Sequence, residues 1–303
     1  MNHSCEANTF YRSIGADRAV HTATKKILKG DHITTDYLGK DTIMPTEERK
    51  KLLQRKKLLL CDCPRCTESM DISRGLPCPN CSMIDCCVNG NIIGGYIYWN
   101  PQSGHWLCDT CRSRFDDQSP RLHGLLVRER DLEQAVIALT EKLTSIPLVN
   151  RFQLLELYNA CRGQLGTRHW TYILVLKMLI LFDATQLSSG KSHAKSTMID
   201  NLDYVLDWYE RCEFDSPRHL CLFILSVVNS LLRVEDYRNA LHFLERVFQQ
   251  FPYARVFRHE YKEVVKVMEK CRSVLSGEGV TTCTGEGKQT LGQDNRLTIQ
   301  TGL

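Results

Sequence analysis

The chain has 303 residues, of which 43% are hydrophobic and 24% charged, and its formal net charge is +4. This size allows one or two domains with real cores, and so mild a charge gives no strong case for direct nucleic-acid binding. The longest apolar stretch, Ile173 to Phe182, contains Lys177 and has about half the length that a membrane span needs. Because no secretory leader is evident either, we expect a soluble protein without membrane association, in the cytosol, the nucleus or both.

Short strands are predicted at two places in the first third of the chain. Residues 18–23 and 33–38 are rich in β-branched side chains and flank a Gly30-Asp31 turn signal. Further on, two β-rich runs between residues 92 and 107 flank Asn100-Pro-Gln-Ser-Gly104, which predicts a hairpin.

A helix is predicted from Thr46 to Lys57, because the segment follows Pro45 and has acidic residues in its first turn. Its basic clusters, Arg49–Lys51 and Arg55–Lys57, would suit a nuclear-import or nucleic-acid patch. They would equally suit the solvated face of an amphipathic helix, and leucines at 52, 53 and 58 favour this second interpretation.

Fifteen cysteines are many for a chain of this length, and several fall in CxC and CxxC pairs. In a long chain that spacing favours metal binding in a reducing compartment over disulfides. Cys61, Cys63 and Cys66 supply three thiols within six residues. Zinc takes four ligands in a tetrahedron, so a fourth must come from elsewhere, and Cys5 is a candidate. Free thiols are the alternative, although a cluster of them would be prone to oxidation.

A second group of cysteines lies around the predicted hairpin. Two CxxC knuckles separated by a hairpin have the spacing of a zinc ribbon, although two unrelated pairs would give the same spacing. Cys86 and Cys87 are spare, and one of them could replace a knuckle cysteine. We therefore predict two zinc ions, the second one bound by Cys78, Cys81, Cys108 and Cys111.

The hydrophobic period becomes helical from about residue 120. One stripe comprises Leu132, Val136, Leu139 and Leu143, and another comprises Leu220, Phe223, Ile224, Val227 and Leu231. Ala240, Leu244, Val247 and Pro252 have the spacing of the second helix of a tetratricopeptide repeat. These patterns predict a helical-repeat array, in which Cys161, Cys212, Cys221 and Cys271 are buried core thiols. The tail from Ser276 is rich in Gly and Thr and is predicted to be disordered.

Three motifs occur in the order and approximate spacing of the SET-domain protein-lysine methyltransferases. They are Asn2-His-Ser-Cys5-Glu-Ala-Asn8, Gly30-Asp-His-Ile-Thr-Thr-Asp-Tyr37 and Cys61-x-Cys63-x-x-Cys66. The helical region after them resembles the SET-and-MYND subfamily, and the second cysteine group is similar to that of arthropod-like members. Over about residues 1–275 the resemblance implies an α+β fold. Its parts are the C-terminal half of a SET β-fold, a zinc-bound post-SET segment with a zinc-ribbon-like insert, and an all-α tetratricopeptide-like array.

The resemblance also implies roles for individual residues. A substrate lysine, with a solution pKa near 10.4, must lose its proton before it attacks a methyl group, and a tyrosine hydroxyl can orient the resulting amine. An ordinary strand-end tyrosine is the alternative at that position. By resemblance, Asn2 and His3 contact S-adenosylmethionine, Tyr37 takes the catalytic position, and Cys5, Cys61, Cys63 and Cys66 bind zinc.

Three features depart from the family pattern. Ala7 stands where the family usually has proline. Lys57 to Leu60 stand where aromatic residues usually wall the cofactor and the lysine channel, and leucine offers no cation–π face to a methylammonium. The MYND finger and the first half of the SET fold would precede Asn2, so we expect this chain to be an incomplete and inactive fragment.

The expected organisation is a C-terminal SET part at 1–44, a post-SET and ribbon region at 45–119, a helical array at 120–275 and a tail at 276–303. The expected function is methyl transfer from S-adenosylmethionine to a lysine of a histone or another protein. The alternative is a non-catalytic, zinc-stabilised scaffold. In both cases a peptide or protein partner is expected to bind the helical array.

Overall fold

The computed structural model describes residues 2–14, 18–67, 70–84, 92–145, 151–187, 193–212, 217–250 and 258–277. Within these ranges the chain has an α+β fold, in which small sheets precede a series of helices. The strands are β1 (Asn2–His3), β2 (Thr9–Ile14), β3 (Arg18–Ala23), β4 (Thr34–Thr35), β5 (Leu76–Pro77), β6 (Met83–Ile84), β7 (Ile92–Ile93), β8 (Tyr96–Asn100), β9 (His105–Cys108) and β10 (Arg114–Phe115). The helices are α1 (Thr46–Lys57), α2 (Pro64–Thr67), α3 (Pro120–Ser145), α4 (Arg151–Gln164), α5 (Trp170–Gln186), α6 (His193–Arg211), α7 (Pro217–Arg233), α8 (Tyr237–Gln250) and α9 (Arg258–Ser276).

The first sheet has the strand order β1-β4-β2-β3 and brings the start of the chain beside residues from 34 onward. β4 runs parallel to both of its neighbours, and β2 and β3 form a six-pair antiparallel ribbon. Asn8 fastens this arrangement, because its side chain accepts a hydrogen bond from the Thr34 amide at 2.8 Å and donates one to the His32 carbonyl at 2.8 Å. The sheet therefore places the Asn2–Cys5 segment next to Tyr37.

The strand predicted over residues 18–23 is confirmed, but the strand predicted over 33–38 is wrong beyond Thr35. The Asp36 carboxylate accepts hydrogen bonds from the backbone amides of Leu38 and Gly39 and from the Thr42 hydroxyl. An aspartate that bonds amides a few residues further on competes with the sheet ladder and closes a turn. A 3₁₀ helix, Gly39–Ile43, follows directly.

Helix α1 has the predicted bounds. It begins after Pro45 with Glu47 and Glu48 in its first turn, and it ends at Leu58, which adopts a left-handed conformation. The assignment of its basic residues to the solvated face is wrong for Arg49, which is 0% exposed and lies on the same side as the buried Leu53.

The second sheet has the order β10-β9-β8-β5 and is antiparallel throughout. The predicted hairpin is confirmed as β8 and β9, with the turn between Asn100 and His105. Trp99 and Trp106 face each other across it with ring centroids 5.8 Å apart, an edge-to-face pair that adds to the stability of the hairpin. Cys86 and Cys87 lie outside the described residues.

The helices from α3 onward share the largest hydrophobic core. Within it α4 packs on α5, α5 on α6, α7 on α8, and α8 on α9, while α5 also contacts α7. The stripe predicted from Leu220 to Leu231 is confirmed, since all five residues are buried. Of the other stripe Val136 is buried, Leu132 and Leu139 are half-buried, and the Leu143 side chain lies outside the described part. Pro252 and the tail from residue 278 are also outside it.

Polar contacts join the second sheet to the helices. The Trp170 amide donates to the Ser73 carbonyl at 2.8 Å, and Arg168 pairs with Asp109 at 2.5 Å while its guanidinium stacks on Tyr96. The second sheet therefore packs on the helices from α3 onward through ion pairs as well as apolar contacts. None of the helices, over the residues that the structure describes, is long and apolar enough to cross a bilayer.

Candidate metal centres

The first tetracysteine centre joins the start of the chain to the segment that follows α1. Cys5 follows β1, Cys61 and Cys63 follow α1, and Cys66 lies in the short helix α2. All four side chains are buried, and their sulfurs lie within 4.8 Å of one another. Cys5 was the predicted fourth ligand, and the structure brings its sulfur beside those of the other three cysteines.

The sulfur separations in this centre fit a tetrahedral ion. Zinc–sulfur bonds of about 2.3 Å place the sulfurs of a tetrahedron roughly 3.8 Å apart. The Sγ atom of Cys5 lies 3.5 Å from that of Cys66 and 4.0 Å from that of Cys61. Shared hydrogen bonds within the group, chiefly with Cys5, lower the pKa of Cys66 to about 6 and also lower the pKa of Cys63, while the pKa values of Cys5 and Cys61 are raised. Since zinc binds thiolates, this centre could hold one zinc ion.

Two guanidinium groups lie against this centre. Arg49 donates to the Met44 carbonyl at 2.6 Å and to the Thr46 hydroxyl at 3.0 Å, and its Nη2 lies 3.6 Å from the Cys66 sulfur. Arg65 donates to the Thr42 carbonyl at 2.9 Å and to the Cys5 carbonyl at 3.4 Å. Four thiolates on a divalent ion carry a net charge of −2, so the two cations balance a zinc-loaded centre.

The second tetracysteine centre lies at one end of the second sheet. Cys78 and Cys81 follow β5, and Cys108 and Cys111 lie at the end of β9 and just beyond it. The Cys78 and Cys111 sulfurs are 3.7 Å apart, and those of Cys81 and Cys108 are 3.6 Å apart. These separations also match the roughly 3.8 Å of a zinc tetrahedron, so this centre could hold a second zinc ion.

The backbone around the second centre is shaped for thiolates. The amides of Thr110 and Cys111 each donate to the Cys108 sulfur at 3.4 Å, and the Asn80 amide donates to the Cys78 sulfur at 3.4 Å. Such donors orient the ligands and stabilise their negative charge. Gly95 packs so tightly behind the centre that a Cβ atom there would stand 2.5 Å from the Cys108 sulfur. This close approach requires glycine.

His3 and Tyr37 form a pair beside the first centre. The Tyr37 amide donates to His3 Nδ1 at 3.1 Å, and the two rings lie 5.3 Å apart. Because Nδ1 accepts this hydrogen bond, the hydrogen of the neutral His3 ring is assigned to Nε2. Nε2 lies 3.4 Å from the Cys5 sulfur and donates to it. Burial lowers the pKa of His3 and favours the neutral ring that this arrangement needs. Both ring nitrogens are therefore engaged within the protein.

The side chains around Tyr37 are open to solvent. Tyr37 is 42% exposed, and the Lys57 ammonium stands 5.8 Å from the centre of its ring. Leu58 and Leu60 are 88% and 73% exposed. Asn2, on the two-residue strand β1, is also exposed.

A third polar group was missed by the sequence analysis. Glu129 and Glu133 of α3 meet His169, the N-cap residue of α5, and their ligand atoms lie within 4.8 Å of one another. Glu129 is fully paired, because Arg74 donates to both of its carboxylate oxygens and His169 Nε2 lies 3.1 Å from one of them. Glu133 accepts from the Trp170 indole at 2.8 Å. The side chains of this group therefore hydrogen-bond to one another, to Arg74 and to Trp170, and in this way they join the second sheet to the helices.

A sequence signal for this network exists in helix α3. Leu122, Leu125 and Val136 are buried, and Glu129 falls on the same helical stripe. A charged residue on an apolar stripe indicates a buried partner.

Comparison of the chain with known proteins finds neither a matching family model nor a matching curated protein.

Proposed function

We propose that this chain supplies the cofactor- and lysine-facing C-terminal part of a SET-type protein-lysine N-methyltransferase of the SET-and-MYND class. The observation that carries the proposal is the convergence of three separate motif segments. Tyr37 bonds to His3, His3 reaches the sulfur of Cys5, and Cys5 joins the cluster of Cys61, Cys63 and Cys66. Segments far apart in sequence that meet with matched polar contacts support a shared site.

Each residue has a chemical task in this proposal. Bound S-adenosylmethionine would supply a methyl group on a sulfonium, and the resemblance implies that Asn2 and His3 would contact it. A substrate lysine that has already lost its proton would take this methyl group through the nitrogen lone pair, which would leave the sulfur as a neutral thioether. The Tyr37 hydroxyl orients the amine, and His3 acts as a positioning residue that fixes the Tyr37 backbone.

The exposed surroundings of Tyr37 set a condition on activity. The resemblance implies that the first half of the SET fold packs over this surface, and β3, whose only partner among the described residues is β2, offers an edge for it. Alignment supplies roughly 7–11 kcal/mol of barrier reduction, and loss of a third of this would slow transfer by about 50- to 500-fold. The 303-residue chain alone should therefore be a poor catalyst.

The test is transfer of a labelled methyl group to a mixed histone and protein substrate. The 303-residue chain is compared with a chain extended upstream by a SET N-terminal half. We expect Tyr37-dependent transfer in the extended protein alone, and Tyr37→Phe should abolish most of it. Tyr11→Phe is the matched control, because Tyr11 is 47% exposed on β2 and outside the His3–Tyr37 pair. Equal activity of the Tyr37→Phe and Tyr11→Phe proteins would contradict the proposed role.

The helices from α3 to α9 would act in this proposal as a tetratricopeptide-like array that presents the protein substrate or another partner. Its support is the continuous core shared by consecutive helices. A methyltransferase of this class would work in the cytosol, the nucleus or both.

The second candidate function is a non-catalytic, zinc-stabilised scaffold. It is favoured by Leu58 and Leu60, which stand exposed where a methyltransferase would have aromatic walls. Calorimetric titration of the extended, zinc-loaded protein with S-adenosylmethionine separates the two functions. Saturable binding supports the enzyme, and its absence in a folded protein supports the scaffold.

A further inference from the structure

A cleft of about 490 Å³ lies between α1 with its preceding 3₁₀ turn and the helices α3 and α5. Its volume falls within the range of small-molecule sites, about 300–1,000 Å³. Neither Asn2, His3 and Tyr37 nor any cysteine of the two centres lines it. It is therefore a cavity that the proposed methyl transfer does not use.

The inner surface of the cleft is apolar. Leu52 comes from α1, Ile137 from α3, and Trp170 and Leu174 from α5, and each is buried or half-buried. Such a surface favours a hydrocarbon or aromatic body, because it removes apolar area of the ligand from water at about 25 cal/mol per Å².

The solvent side of the cleft is cationic. Five basic side chains and two acidic ones line the cleft. Both acids already have partners, since Glu48 pairs with Lys51 at 2.7 Å and Asp41 lies 3.9 Å from Lys56. The exposed Lys40 and Arg55 form no ion pair within the described part of the chain. The lining therefore has positive charge left to neutralise an anionic group.

From this combination we propose that the cleft is a binding site for an anionic amphiphile, a small molecule with an apolar body and a carboxylate-type head group. The body lies on the half-buried Ile137 and Leu174, and the head is paired by Lys40 and Arg55. Because α1 forms one wall of the cleft, and α3 and α5 form the other, a bound ligand would contact all three helices and stabilise their packing. This inference is independent of the proposed methyl transfer.

The test titrates the zinc-loaded 303-residue protein with laurate and with dodecanol by calorimetry. The two probes share a chain length and differ in the charge of the head group. We expect saturable laurate binding that is at least tenfold tighter than that of dodecanol, with a rise in the unfolding temperature of the laurate complex. Equal affinities, or no saturable laurate binding, would overturn the proposal.

Two pairs of variants locate the site. Lys40→Gln with Arg55→Gln should weaken laurate binding about tenfold, since each lost exposed contact is worth up to about fivefold in affinity. Lys26→Gln with Lys29→Gln removes the same charge from exposed positions outside the cleft and should leave binding unchanged.

Thr140, which lines the cleft on α3, provides the second pair. Thr140→Glu should weaken laurate binding further than Thr140→Gln, because the two side chains match in size and only glutamate repels an anion. If the variants at 40, 55 and 140 all bind laurate like the unchanged protein, the anion is not held in this cleft.

Discussion

The network around Glu129 allows a sharp prediction about stability. Glu129 is 1% exposed, and Arg74 donates to its two oxygens from Nε at 2.6 Å and from Nη2 at 2.8 Å. Glu129→Gln keeps the size of the side chain, removes the charge and turns an amide donor toward the guanidinium. Arg74 then remains largely buried, and it keeps weaker interactions with the more exposed Glu47 at 3.9 Å and with Glu133.

The cost follows from the pKa of the carboxyl group. Burial by itself would raise this pKa, but Arg74 and His169 hold it down at about 2, against an ordinary value of 4.5. A shift of this size corresponds to about 3 kcal/mol at neutral pH. Breaking a buried ion pair on one side typically costs roughly 3–5 kcal/mol. We therefore expect Glu129→Gln to lower the free energy of unfolding by about 3 kcal/mol at pH 7.

The effect should depend on pH in a defined direction. Because the folded pKa of Glu129 lies below its unfolded value, the stability that it contributes is fully present above about 4.5 and is lost as the pH falls toward 2. The difference between the unchanged protein and the variant should shrink through that window. Acid also releases zinc, but it does so from both proteins, so their difference remains the useful quantity.

Glu133 is the matched control one helical turn away. Burial, reinforced by the charge of Glu129, raises the pKa of Glu133, so its charge is unfavourable in the folded state. Glu133→Gln keeps an oxygen that can accept the Trp170 indole hydrogen bond. We expect this substitution to be neutral or slightly stabilising, within about 1 kcal/mol.

The assay is urea unfolding at fixed free zinc, followed by tryptophan fluorescence and by circular dichroism at several pH values. Both probes should give the same transition in each protein. Equal effects of Glu129→Gln and Glu133→Gln at pH 7 would refute the reasoning. So would a difference between the unchanged protein and Glu129→Gln that stays constant down to pH 2.5.

Three further predictions concern the metal centres and the helices. Metal analysis should return two zinc ions per chain, and Cys63→Ser should retain one; a single ion in the unchanged protein would contradict this. Gly95→Ala should lose the other ion by displacing the Cys108 sulfur, whereas Gly163→Ala, on α4 in open space, should keep both ions, as metal analysis would show. A fragment of residues 120–277 should be helical by circular dichroism but less stable than in the full chain, because it lacks Arg74; a spectrum with little helix would exclude independent folding.

Much of the local structure could be predicted because its signals are local. The hairpin from Tyr96 to Cys108 follows from a turn signal between two β-rich runs, and the Leu220–Leu231 stripe follows from helical periodicity. The CxxC spacings indicated the second centre. In these cases the residues that determine the structure lie within a few positions of one another, so one sequence is enough to reveal them.

The missed features depend on distant partners. The strand after Ile33 stops at Thr35 because Asp36 bonds to nearby amides, which competes with a ladder that propensity alone predicts. The cleft needs α1 and α5 to be placed side by side, and no sequence window contains both. Arg49 was assigned to the solvated face of α1 because the cysteine cluster that it contacts comes from two other segments.

Arg49 and Glu129 are two buried charges that bear on how the parts of this fold are placed against one another. Each is a charged residue on the apolar side of its helix, and each lies near an opposite charge from another part of the chain: Arg49 lies 3.9 Å from Asp71, and Glu129 pairs with Arg74. Such pairs bring little net stability, since desolvation offsets much of their attraction, but a misplaced partner leaves a buried charge uncompensated. Arg49 reaches Cys66 only if α1 lies against the first centre, and Glu129 reaches Arg74 only if the second sheet lies on α3 and α5. An alternative docking would leave these charges unpaired, and each unpaired charge would destabilise that docking by several kcal/mol. We infer that Glu129 specifies how the second sheet is placed on the helices and that Arg49 specifies how α1 is placed against the first centre, while apolar burial supplies most of the stability.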